Sequence, residues 1–210
     1  MFKAAVVGHS HVPRALRPDV PCRVDIFRSP GAKAKDFFVN PILTPVLRER
    51  YDLVILWLGS NDITDNSNPL TIAQDIQGIV QAIEKECGAD VRPVLIEPRL
   101  INPNPPPHIH ISDQETYEKQ AKGINRKLQG RLLKRCRYIS FGAKPFWDDL
   151  GPDGVHFRRP EREAFINTKF LNCIHCSYWD NQGYQALGQP VPVNMTRQRK
   201  EEDAPLPTDW

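Results

Sequence analysis

Short apolar runs alternate along the chain with longer stretches in which apolar residues recur every three or four positions. The first run is Lys3 to Val7 and the second Cys22 to Phe27. Asp52 to Leu58 is the third and the most apolar; Val91 to Ile96 and Arg137 to Phe141 follow. Each is short and rich in Val, Ile, Leu or aromatic residues, the pattern of strands covered on both faces. Between the third and fourth runs, Ile72, Ile76, Ile79, Val80 and Ile83 keep helical spacing. Asn68 is placed to cap that helix, Pro69 suits its first turn and Gly88 stops it. Between the fourth and fifth runs, Tyr117, Ala121, Ile124, Leu128 and Leu132 predict a second helix, over 113–135, capped by Ser112 or Asp113. Such alternation predicts a three-layer α/β/α sandwich around a central parallel sheet of about five strands. In such sheets the site lies at the carboxyl ends of the strands.

The remaining stretches frame one domain over residues 1–188. Asn102 to Ser112, NPNPPPHIHIS, predicts a stiff extended loop. From Gln189 the chain loses apolar periodicity, and 189–210 is expected as a frayed tail.

Composition narrows the function classes. At 210 residues, 40% hydrophobic and 25% charged, the chain is neither a disordered polymer nor a coiled coil. Its longest aliphatic or aromatic run, Leu53 to Leu58, is too short to span a bilayer, so no membrane role is expected. The net charge of +3 is too small to imply nucleic-acid binding by itself. The helix over 113–135 does carry a basic face of Lys119, Lys122, Arg126, Lys127, Arg131 and Lys134. A solvated face is the plain reading and an RNA- or DNA-binding face the alternative. Met1-Phe2-Lys3 leads straight into a strand rather than a secretory signal. The five cysteines, at 22, 87, 136, 173 and 176, are therefore expected as reduced thiols of a cytoplasmic protein.

Several phosphate, nucleotide and metalloprotease motifs are missing: there is no Gly-Lys-Ser/Thr, no GxGxxG, no GxSxG and no HExxH. What is present sits at strand ends. Gly8-His9-Ser10 follows the first strand, Gly59-Ser60-Asn61-Asp62 the third, and Asp153-Gly154-Val155-His156 lies beyond the fifth. A serine hydroxyl needs a base to become a nucleophile, and histidine is the usual base. An aspartate three residues before the histidine can hold its tautomer, and an amide can donate to a developing oxyanion. The plainer readings are a helix cap at Ser10 and turn residues at Asn61-Asp62 and Asp153-Gly154.

With Gly31 in Ser29-Pro30-Gly31-Ala32, these blocks resemble the four signature blocks of the SGNH (or GDSL) hydrolases, in the same order, over residues 1 to 157. The resemblance implies a flavodoxin-like sandwich of the SGNH hydrolase type and hydrolysis of small acyl esters such as acetyl esters, with no metal or cofactor. It implies Ser10 as nucleophile, His156 as base, Asp153 as its partner, and an oxyanion hole from the N–H groups of Ser10 and Gly31 and the side chain of Asn61. His9 departs from the family, which usually carries aspartate there. The wording Gly-His-Ser-His-Val-Pro-Arg also resembles esterase-like domains of some animal non-LTR retrotransposon proteins. The rival class is an inactive module of the same fold that binds a ligand, a protein or RNA.

Three further expectations concern the remaining candidates. His9 and His11, with no nearby carboxylate evident, are expected to be structural or to touch substrate rather than bind metal. Cys173-Ile174-His175-Cys176 offers at most three ligands and no second pair, so no zinc site is expected. Finally, the family's last helix resembles Asn181-Gln182-Gly183-Tyr184, which leaves 158–180 as an insertion. Its mixed charge and weak periodicity predict poor order, the alternative being a lid bearing Phe165, Phe170, Tyr178 and Trp179.

Overall fold

The computed structural model describes residues 1–97, 111, 113–132, 137–141 and 160–186. Four strands form one parallel sheet: β1 (Phe2–Gly8), β2 (Cys22–Arg28), β3 (Leu53–Trp57) and β4 (Asp90–Pro93), in the order β2-β1-β3-β4. The expected fifth strand appears as a single parallel bridge between Val94 and Ile139. Leu95 N–H donates to the Ile139 carbonyl and Ile139 N–H to the Pro93 carbonyl, each at 2.9 Å.

Side-chain alternation divides the sheet into two cores. Ala5, Val7, Val54 and Leu56 point to one face, where α1 (Pro69–Cys87) and α2 (Gln114–Lys127) cover them. Ala4, Val6, Leu53, Ile55 and Trp57 point to the other, under α3 (Pro160–Ala186). Both faces are buried, which explains why β1 and β3 read as unbroken apolar runs.

The helix signals act as their chemistry demands. The Asn68 side chain accepts from Leu70 N–H at 2.8 Å, and Gly88 closes α1 in the left-handed region. Asp113, rather than Ser112, caps α2, accepting from Thr116 N–H at 2.7 Å. Tyr117, Ala121 and Ile124 form the buried face of α2, while Lys119, Lys122 and Arg126 are exposed.

The expectation of poor order over 158–180 gives way to a helix from residue 160 onwards. Ile166, Phe170, Cys173, Ile174, Ser177 and Asn181 are buried at helical intervals. Half of that stripe is polar or sulfur-bearing, so hydropathy alone conceals it. Two of these three are paired in place: Asn181 Nδ2 donates to Asp52 Oδ1 at 3.1 Å, and Arg92 Nη1 donates to Cys173 Sγ at 3.2 Å.

Candidate active site

Parallel pairing brings three strand ends together. Gly8 is in register with Arg28 on one side and Trp57 on the other. A Cβ at Gly8 would lie 2.1 Å from the Trp57 carbonyl oxygen, so only glycine lets β1 approach β3 this closely. The chain then turns over residues 9–12. His9 N–H donates to the Trp57 carbonyl at 3.3 Å and Val12 N–H to the His9 carbonyl at 3.1 Å. Ser10 is half-buried at this turn, and no helix follows it, which removes the helix-cap reading.

The neighbouring loops close around the same edge. Ser29 N–H donates to the Gly8 carbonyl at 2.9 Å, joining the end of β2 to the end of β1. Gly31 is exposed with φ at 73°, in the left-handed region that glycine adopts without strain. After β3, residues Ser60–Asp62 form one 3-10 turn. Asn61 Nδ2 donates to the Ala32 carbonyl at 3.1 Å, tying the Asn61 turn to the loop that carries Gly31. Asp62 ties it again: its carboxylate accepts from Ala34 N–H at 2.8 Å and Lys35 N–H at 3.3 Å. Burial pushes the Asp62 carboxyl up to about 6, against the pull of those two amides.

Ser10, Gly31 and Asn61 thus share the carboxyl edge of three adjacent strands. Asp153 and His156 lie outside the described residues, as do His108 and His110.

One functional candidate was missed by sequence reasoning. Glu97, directly beyond the fourth apolar run, is buried between His9 and His11. Its Oε1 lies 3.2 Å from His11 Nδ1 and 3.7 Å from His9 Nε2, and Oε2 accepts from Trp57 Nε1 at 2.8 Å. Burial by itself would raise this carboxyl. The nearby His11 ring, the two histidines' charge and the indole N–H outweigh it and hold Glu97 at about 2. The histidines therefore do have a carboxylate partner, supplied from the segment beyond β4. Its position at a strand end was the available signal.

Ser60, His9 and Glu97 form a second serine–histidine–carboxylate set, with Ser60 Oγ 3.2 Å from His9 Nε2. Its chemistry differs from that of a nucleophile and base. Ser60 and His9 are both buried, and His9 Nδ1 accepts from His11 N–H at 3.3 Å. A neutral His9 then carries its proton on Nε2, so it faces Ser60 as a donor.

Among the described residues, His9, His11 and Glu97 form the group whose atoms could surround a metal ion, all within 4.8 Å of one another. Cys173 and Cys176 do not belong to it. Both are free thiols, and burial raises Cys173 more than the neighbouring Arg92 lowers it.

A model of the GDSL-like lipase/acylhydrolase family matches residues 8–159. No curated protein matches the chain in sequence. Among solved structures, a carbohydrate acetylesterase from Sinorhizobium meliloti is similar at TM-score 0.59 and 13% identity, covering 84% of this chain and 99% of its own. An aryl esterase from M. smegmatis is similar at TM-score 0.59 and 18% identity, over 87% and 99%. A carbohydrate esterase family 3 protein from Talaromyces cellulolyticus is similar at TM-score 0.61 and 16% identity, over 85% and 99%. At these identities the likeness is one of fold.

Proposed function

The chain belongs to the GDSL-like lipase/acylhydrolase family, and from that premise we propose that it is a serine esterase acting on small acyl esters such as acetyl esters. The observation that carries the reading is the joining of the Ser10 turn, the Gly31 loop and the Asn61 turn at one sheet edge, with Asn61 bonded to the Ala32 carbonyl. The names of the structurally similar proteins agree with ester hydrolysis, and that of the Sinorhizobium meliloti protein with an acetyl ester.

In the proposed reaction Ser10 Oγ attacks the ester carbonyl while His156 takes its proton. Asp153 orients the His156 ring and stabilises the imidazolium. The negative charge that develops on the carbonyl oxygen is met by the N–H groups of Ser10 and Gly31 and by an N–H of the Asn61 amide. The intermediate collapses, His156 protonates the departing alcohol, and the acyl group stays on Ser10. Water then attacks the acyl-enzyme with His156 again as base, releasing the acid and restoring the serine. Gly31, being exposed, suits a donor that must meet substrate rather than protein.

Hydrolysis of p-nitrophenyl acetate tests this. Ser10→Ala should lower turnover by several orders of magnitude, and Asn61→Ala by about 100- to 1000-fold in kcat, the effect of losing one oxyanion donor. Wild-type rates in both variants would end the esterase reading and leave the fold as a binding module.

A further inference from the structure

We infer that Glu97 is a positioning residue for Ser10: with Arg28 it clamps the 9–12 turn between a buried anion and a half-buried cation. The inference rests on the proposed role of Ser10 and extends it to residues outside the signature blocks.

Glu97 is itself fixed before it fixes anything. Beyond β4, Val94 N–H donates to the Leu56 carbonyl at 2.7 Å. Both backbone groups of Ile96 are held by one side chain of α2: its N–H donates to Asn125 Oδ1 at 2.8 Å, and its carbonyl accepts from Asn125 Nδ2 at 3.0 Å. The Glu97 carbonyl accepts from the Tyr117 hydroxyl at 3.0 Å. On the other side of the sheet, Phe170 of α3 packs edge-on against Trp57, whose indole holds Glu97 Oε2.

From that fixed point the carboxylate reaches both neighbours of the nucleophile. His9 and His11 flank Ser10 in sequence, and Glu97 Oε1 faces a ring nitrogen of each. Arg28, at the end of β2, holds the same turn from the opposite side. Its Nε donates to the carbonyls of Ser10 at 3.1 Å and Val12 at 3.0 Å, and its Nη2 to Ser10 at 2.7 Å. The side-chain grip on one flank and the main-chain grip on the other leave the Ser10 turn little freedom. Misplacing a reacting atom by about 1 Å can cost 100-fold in rate, so a clamp of this kind bears on kcat.

The same three side chains could be taken for a metal site. The hydrogen bonding favours protons instead. A metal-bound imidazole donates from its second nitrogen, whereas His9 Nδ1 accepts a backbone N–H, which leaves on Nε2 a proton that faces Ser60 Oγ at 3.2 Å rather than a lone pair for a metal.

The test is Glu97→Gln, which keeps the shape but removes the charge and sets an NH2 group against either the ring nitrogens or the indole N–H. With p-nitrophenyl acetate, kcat should fall roughly 10- to 100-fold while KM stays within about twofold. Glu97→Asp, which keeps the charge on a shorter arm, should recover part of the loss. Amide hydrogen exchange at His11 and Val12 should speed up about tenfold in Glu97→Gln, with Leu53–Trp57 unchanged. Wild-type kcat in both variants would overturn the inference, as would unchanged exchange at residues 11 and 12. One zinc per wild-type chain, absent from Glu97→Gln, would overturn it in favour of a metal centre. If the wild type turns over no ester, the proposed function fails first, and the exchange rates still decide whether Glu97 holds the turn.

Discussion

Asp62 and Glu97 are two buried carboxylates at the same edge of the sheet, one in the turn after β3 and the other beyond β4, and their surroundings drive them apart. Asp62 accepts hydrogen bonds from the backbone amides of Ala34 and Lys35, and burial carries its carboxyl up to about 6 against those amides and the charge of Lys33. Glu97 meets two histidine rings and an indole N–H, which hold it at about 2 although it is the more deeply buried. At Asp62 the two peptide N–H groups do not offset desolvation, whereas at Glu97 the histidine rings and the indole do. Asp62 therefore serves as a tie between loops, and Glu97 as a fixed anion beneath the proposed nucleophile.

Removing each carboxylate should expose this difference most strongly. Glu97→Ala leaves two buried imidazoles facing an unfilled space and should cost about 3–5 kcal/mol in urea unfolding at pH 7. Asp62→Ala loses two hydrogen bonds to its carboxylate but also relieves a buried charge, and should cost about 1–2 kcal/mol. Equal costs would erase the contrast.

A smaller effect should appear as opposite pH dependence. The folded Asp62 carboxyl is raised, so its contribution to stability is complete below pH 4 and is lost as pH rises through about 6. The folded Glu97 carboxyl is depressed, so its contribution is present above pH 4.5 and is lost as pH falls towards 2. Asp62→Asn should flatten the decline between pH 4 and 6 and leave the protein at pH 8 at least as stable as the wild type. Carboxyl carbon NMR titration checks the assignment directly; a midpoint near 4 for Asp62 would contradict it.

The sequence made the repeated, local features legible and concealed the distributed ones. β1, β3, α1 and α2 are visible because their apolar spacing and caps lie within a single segment: Asn68 beside Leu70, Asp113 beside Thr116. The resemblance placed Ser10, Gly31 and Asn61 at strand ends, and the sheet register brings those ends together. Glu97 belongs to no motif. It is one carboxylate after an apolar run, and only the folded sheet reveals that it faces residues 9 and 11, some 86 to 88 positions earlier. α3 was concealed for a different reason. Cys173, Ser177 and Asn181 occupy buried positions where hydropathy expects aliphatic residues, because Arg92 and Asp52 provide polar partners for two of them.

The proposed nucleophile is Ser10, not the buried Ser60 beside His9. Treating the protein with a fluorophosphonate and mapping the adduct by peptide mass spectrometry tests it most directly. The account predicts one adduct per chain, on Ser10, and none after Ser10→Ala. An unmodified chain, or an adduct on Ser60, would contradict it.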